Sequence, residues 1–249
     1  MRSPLTVKVV FDRRLCWLLL ELSNSDSYQP IKNLAQNMHC SRRSVEYDIL
    51  RLNSILDELG LDKVKAVPSK GVLLSDKNKL WFNELTQDFQ GRITYVYSQD
   101  ERLAYCLSLI IIGGHNYNTE SLASLFQVSR ATIFQDLRRV QDVVAAHEAL
   151  LSYDRFYKYY IQATGKQYID MLRIAADIMY ESVPKEILQH ILDKDVVEMM
   201  TRISMLRSDD PELQSNLKGI IAKKQREKGG DMEAGSTHVN ALIGIVSIG

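Results

Sequence analysis

Ser41, Arg42, Arg43, Ser44 and Tyr47 form a set whose types and spacing suit one kind of chemistry, the recognition of nucleic acid. If Ser41 caps a helix, two guanidinium forks stand at its exposed start. There they can donate in pairs to guanine O6 and N7 or to phosphate, while the free backbone N–H groups of the first turn add an anion site. Arg51, two turns further on, is better placed for backbone phosphate than for a base edge. Lys65 and Lys70 fall in a segment with the turn chemistry of a hairpin, where a basic wing can hold the neighbouring backbone without reading sequence. These residues are the first set of expected DNA contacts.

The same pattern returns 88 residues later: Ser41 to Ile49 matches Ser129 to Leu137 without a gap. The offset also carries Leu34 and Ala35 onto Leu122 and Ala123, Met38 onto Phe126, Leu52 onto Val140, and Ile55 and Leu56 onto Val143 and Val144. Such self-similarity marks a repeated structural unit. In the second copy Ser129 and Arg130 keep their places, Ala131 replaces an arginine, and Thr132, Gln135, Arg138 and Arg139 supply polar reach, with Lys158 near a second hairpin tip. Asp48 and Asp136 lie too near the expected phosphates to read a groove, so an intramolecular partner or a capping role is expected of both.

The elements needed to position these residues can be read from periodicity. Leu15, Trp17, Leu18, Leu19 and Leu22 predict a first helix from Arg13, and Ile31, Leu34, Ala35 and Met38 a second after Pro30. Val45, Ile49, Leu52 and Leu56 predict a third from Ser41, closed by Gly60. Short strands around Val64 to Val67 and Val72 to Leu74 then flank the turn Pro68-Ser69-Lys70-Gly71. The second copy predicts helices at Glu101 to Ile112, at Thr119 to Phe126 with Thr119 as cap, and from Ser129 to about Ala146, then a hairpin at Tyr153 to Ala163 ended by Thr164-Gly165. The fold expected is mainly α with small β-hairpin wings: two tandem winged helix-turn-helix domains and a helical C-terminal segment. Its divisions are 1–79, a linker helix within 80–98 built on Leu80, Trp81, Phe82, Leu85 and Phe89, 99–181, a helical segment 182–228 and a tail 229–249. Further helices are expected around Tyr168 to Glu181, at Pro184 to Met200 and at Pro211 to Lys224.

Bulk properties bound the function. With 45% hydrophobic and 25% charged residues the 249-residue chain has the composition of a globular protein, and its formal net charge of zero confines any nucleic-acid footprint to a local patch. Cys16, Cys40 and Cys106 form neither a disulfide framework nor a zinc pattern, and no signal peptide or long apolar run is present, so a cytoplasmic protein without membrane contact is expected. No catalytic set assembles. Gly165-Lys166 lacks the rest of a phosphate loop, Gly113-Gly114-His115 reads as a turn, and the five histidines are scattered without ligand spacing. Neither enzyme activity, metal nor cofactor is expected.

The chain resembles the N-terminal half of bacterial phosphotransferase-system-controlled transcription activators, the mannitol-operon and lichenan-operon type and, more distantly, Mga-like regulators. The resemblance rests on Ser41-Arg42-Arg43-Ser44-Val45 with Asp48-Ile49, on Ser129-Arg130-Ala131-Thr132-Ile133 with Asp136-Leu137, and on Tyr97 to Arg102 opening the second unit. It implies a sequence-specific, double-stranded DNA-binding regulator of carbohydrate-uptake or related genes; a homodimer is expected separately, because paired units about 34 to 36 Å apart match one turn of DNA. Phosphotransferase partners are implied only if 182–228 holds part of a regulatory domain rather than a dimerisation module; His190 there reads as an ordinary helix-surface histidine. Two other roles fit tandem winged helices: a protein-docking module of the chromosome-partitioning accessory type, and a plasmid replication initiator.

Overall fold

The computed structural model of the chain describes residues 9–87, 93–112, 117–156, 158–183, 185–192 and 194–205, with the single positions 215 and 219. Two units are distinct, Met1–Val96 with Val183–Ile191 and Tyr97–Ser182 with Leu192–Gly249. Phe89, Gly113-Gly114-His115, Tyr157, the rest of the Pro211 to Lys224 helix and the tail lie outside the described residues.

The first unit opens with a strand that periodicity did not announce. In β1 (Val9–Asp12) Val9 and Phe11 are buried and Val10 is exposed, the alternation of a half-buried strand. Asp12 then caps α1 (Arg13–Ser23), its Oδ1 accepting from the Leu15 N–H at 3.1 Å. Pro30 stands at the N-cap of α2 (Ile31–Asn37), one position before the helix. After a turn with His39 in the left-handed region, Ser41 caps α3 (Arg42–Glu58), accepting from the Ser44 N–H at 3.1 Å. Gly60, at φ +68°, closes α3 as expected: the Leu61 N–H reaches the Leu56 carbonyl and the Gly60 N–H that of Asp57.

The wing follows. β2 (Lys65–Val67) and β3 (Gly71–Leu73) pair antiparallel, with Lys65 opposite Leu73. Their turn has Pro68 at its second position, Ser69 at φ +66° and a Lys70 N–H donated to the Val67 carbonyl, the arrangement of a type II turn. Gln29 bonds to Val72 on the other side of β3, which ties the wing to the segment before α2. Within the expected linker lie most of α4 (Asp76–Gln87), which buries Phe82 and Leu85, and all of β4 (Ile93–Val96), which pairs parallel with β1 and places Tyr95 beside Phe11. Both belong to the first unit.

In the second unit α5 (Gln99–Ile112) is buried on nearly every side from Leu103 onward, as befits a central helix. The cap of α6 (Thr119–Phe126) is Asn118, which forms a reciprocal capping box with Ser121; the expected Thr119 cap is therefore corrected by one residue. Thr119 is buried and its hydroxyl meets the Tyr159 phenol instead. Ser129 caps α7 (Arg130–Ala146) as expected. The second hairpin is β5 (Leu150–Asp154) and β6 (Lys158–Gln162), so its first strand starts three residues before Tyr153. Gly165 begins α8 (Gly165–Ser182) rather than ending the unit, and α8 packs on α5. The expected Pro184 to Met200 helix is two: α9 (Lys185–Ile191) packs on α4 in the first unit, and α10 (Lys194–Met205) on α8 and α5 in the second. Among the described residues the fold is mainly helical with small two-stranded sheets. No described helix is long and apolar enough to cross a membrane.

Candidate nucleic-acid interface

Helix α3 buries Val45, Asp48, Ile49, Leu52 and Leu56, which turns Arg43, Tyr47, Leu50 and Ser54 outward. Arg42 and Arg43 are exposed in the first turn, and Ser41 and Ser44 are engaged with each other, their hydroxyls 2.9 Å apart. Among the described residues Arg42, Arg43, Lys65 and Lys70 have no intramolecular ion pair, and all four are exposed. These four expected contacts are brought to one unit with their charges available.

Arg51 is placed differently. Its Nη1 donates to Asp12 Oδ2 at 2.8 Å and lies 3.5 Å from Asp48 Oδ1, while its guanidinium sits 6.0 Å from the centre of the Tyr47 ring. Asp48 is wholly buried and takes a second guanidinium, Arg14 Nη2, at 2.8 Å on the same Oδ1; this hydrogen bond holds the Arg14 pKa above its ordinary value. Asp48 Oδ2 is buried with no partner among the described residues. The expected intramolecular partner of Asp48 is present, and Arg51, expected on phosphate, is one of two.

The second unit repeats the frame and spends more of its charge. Asp136 is buried against Arg102, which donates through Nε at 2.7 Å and Nη2 at 3.3 Å. Arg139 bonds Asp100 at 2.6 Å, Arg130 bonds Glu120 at 3.1 Å, and Lys158, at φ +60° beside the hairpin tip, donates to the Arg155 carbonyl. Arg138 and Gln135 are exposed without an intramolecular partner among the described residues, and Thr132 is bound to Ser129. The Arg130–Glu120 pair is exposed on both sides and worth about 0–1 kcal/mol, little enough for a phosphate to exchange.

Two features of this surface escaped periodicity and motif reading. Leu50 is 66% exposed in the third turn of α3; its signal was that it falls off the stripe of Val45, Ile49, Leu52 and Leu56. Phe134 and Leu125, exposed on α7 and α6, give the second unit an apolar character there that the first lacks at the matching Glu46 and Asn37. Searches of protein-family models and of curated proteins found no match for this chain. Among the described residues no three His, Cys, Asp or Glu side chains gather at metal-holding distance, and Cys16, Cys40 and Cys106 form no disulfide.

Proposed function

We propose that this protein is a cytoplasmic, sequence-specific, double-stranded DNA-binding transcription regulator. The observation that carries the reading is the set of exposed cations of the first unit that have no ion pair among the described residues: Arg42 and Arg43 at the capped start of α3, Lys65 and Lys70 on the wing. A helix after a tight turn, presenting its N-terminal residues to solvent, is the element that helix-turn-helix proteins insert in the major groove. Arginine there reads guanine, and wing lysines hold phosphate. The second unit, with three of its expected cations engaged internally, sets register and affinity more than sequence preference. Homodimerisation is part of the proposal, since paired units one helical turn of DNA apart multiply weak module affinities.

The test is selection of bound fragments from genomic DNA at low and physiological salt. Enriched promoter fragments support regulation; enriched iterated origin repeats indicate replication initiation instead, and no enrichment rejects both. On an enriched site Arg42→Ala or Arg43→Ala should cost about 1–3 kcal/mol, and Lys70→Ala should weaken all sequences alike. A folded Arg42→Ala/Arg43→Ala double variant that binds like wild type would remove α3 from the interface. A protein-docking role is favoured for the second unit by one observation, the exposure of Leu125, Phe134, Tyr153 and Phe156. Changing Phe134 to Ser separates the two: loss of DNA affinity assigns that face to DNA, and unchanged affinity removes it from the DNA interface and leaves it open to a protein.

A further inference from the structure

We propose that Leu50, seconded by Tyr47, reads the methyl group of a thymine in the major groove, within about three base pairs of the guanine recognised by Arg43. The inference rests on the DNA-binding reading above and names part of the sequence it selects. A single exposed leucine needs no explanation. Here the company decides. Leu50 and Tyr47, 66% and 58% exposed, share the outward face of α3 with Arg43, and Arg51 stands beside the Tyr47 ring. Arg42 and Arg43 flank the patch on its own helix and Lys65 and Lys70 stand on the wing of the same unit, all four without an ion pair among the described residues.

That charge selects the occupant. A second copy of this face would bring like cations together, whereas duplex DNA complements them. In the major groove the C5-methyl of thymine is the apolar feature that a side chain can find. Seven residues separate Arg43 from Leu50, which at about 1.5 Å per residue is roughly 10 Å along the helix, or about three base pairs at about 3.4 Å each. A helix inclined in the groove spans no more than this, so the site selected by this unit should hold a thymine within about three base pairs of the guanine contacted by Arg43.

The experiment selects duplexes from a random pool with the full chain, then replaces each thymine of the selected site by deoxyuridine, which removes only the methyl group. Wild type should lose about fourfold in affinity at one thymine, the worth of one buried methyl. Leu50→Ala should bind that site with the same affinity whether thymine or uracil is present and keep its preference for the guanine. Arg43→Ala should show the reverse, losing guanine preference and keeping the uracil penalty. Uracil tolerated at every thymine, or a Leu50→Ala variant with the full uracil penalty, overturns the inference and leaves the DNA-binding reading standing. So does a Leu50→Ala variant that sediments as a smaller species while its uracil penalty persists, since Leu50 then belongs to a contact between protein chains. If no duplex is selected at all, both readings fall together.

Discussion

Arg14 reaches Asp48 at 2.8 Å across 34 positions, and Arg102 reaches Asp136 at 2.7 Å across the same 34. The duplication therefore extends to an ion pair on a buried carboxylate, joining the first and third helices of each unit. It also includes the outer pair, Arg51 with Asp12 and Arg139 with Asp100, each across 39 positions. A wholly buried carboxylate tolerates only the helix register in which a guanidinium meets it, because an unpaired buried charge is costly. The pair thus fixes how far along the first helix the candidate recognition helix sits, which determines where its N-terminal arginines emerge.

The two pairs differ in redundancy, and that difference can be measured. Asp136 takes both its hydrogen bonds from Arg102, whereas Asp48 has Arg14 with Arg51 at 3.5 Å in reserve. Arg102→Ala should cost about 3–5 kcal/mol, the scale for breaking a buried pair, and Arg14→Ala should cost less. Trp17 and Trp81 both belong to the first unit, so tryptophan fluorescence follows that unit while circular dichroism follows the whole chain. Denaturant titration of Arg102→Ala should advance part of the dichroism transition and leave the fluorescence transition in place. Equal losses in the two variants would show that Arg51 gives Asp48 no support.

The wing depends on one glycine. Gly71 sits at φ +111°, and a Cβ there would lie 2.1 Å from the Gln29 carbonyl oxygen, which accepts the Val72 N–H. Backbone cannot yield as a flexible side chain does, so Gly71→Ala must part β3 from Gln29. Gly60, at φ +68°, faces open space, and Gly60→Ala should cost only about 1–2 kcal/mol of left-handed strain. Thermal unfolding followed by tryptophan fluorescence should show the larger loss for Gly71→Ala. Amide exchange at Val72 should rise in that variant and stay slow in Gly60→Ala.

The two winged helices were legible because their signals are local. Ser41 and Ser129 cap helices whose apolar residues recur at three and four positions, and Gly60 and the Pro68 turn carry their own backbone preferences. The β1–β4 pair was not legible. A parallel pair needs a long crossover, here from Asp12 to Ile93, and neither four-residue strand carries a pattern that points to a partner at that distance. The α9 and α10 boundary was hidden similarly, because one apolar period serves two helices that pack in different units. At the candidate site, residue type announced the cations and could not show which were already engaged. Asp12-Arg13-Arg14-Leu15 and Asp100-Glu101-Arg102-Leu103 share three of four residues at the common offset, a signal that would have drawn both ion pairs from the sequence.

Burial of His190 gives the first unit an expected pH dependence, with stability rising as pH rises. Burial lowers its pKa below the ordinary imidazole value of 6.5, outweighing the hydrogen bond with the Thr86 backbone. The folded state then binds fewer protons than the unfolded state between the lowered pKa and about 6.5, and stability in that window rises with pH. As pH falls through the window the contribution is lost. The His190 imidazole should titrate below 6.5 by NMR, and a His190→Gln variant should show a flatter fall in first-unit stability between pH 7 and the folded pKa. An imidazole titrating above 6.5 would reverse the assignment.

Asp12 holds two things at once, the start of α1 through Oδ1 and Arg51 through Oδ2, and the Asp12→Asn variant separates them. Asparagine caps a helix about as well as aspartate, so the Leu15 N–H keeps its acceptor and α1 its start. The charge that holds Arg51 is gone, and so is a carboxylate that a nearby phosphate would feel as repulsion. On the DNA-binding proposal Arg51 then turns to the phosphate backbone, adding one contact of the kind that releases a counterion. Affinity should rise for every duplex alike, and the slope of log K against log salt should steepen by about 0.9. Sequence preference should not change, because phosphate contacts position and do not specify. An unchanged slope with a folded variant would mean that Arg51 stays on Asp48, within α3, and would remove it from the DNA contacts.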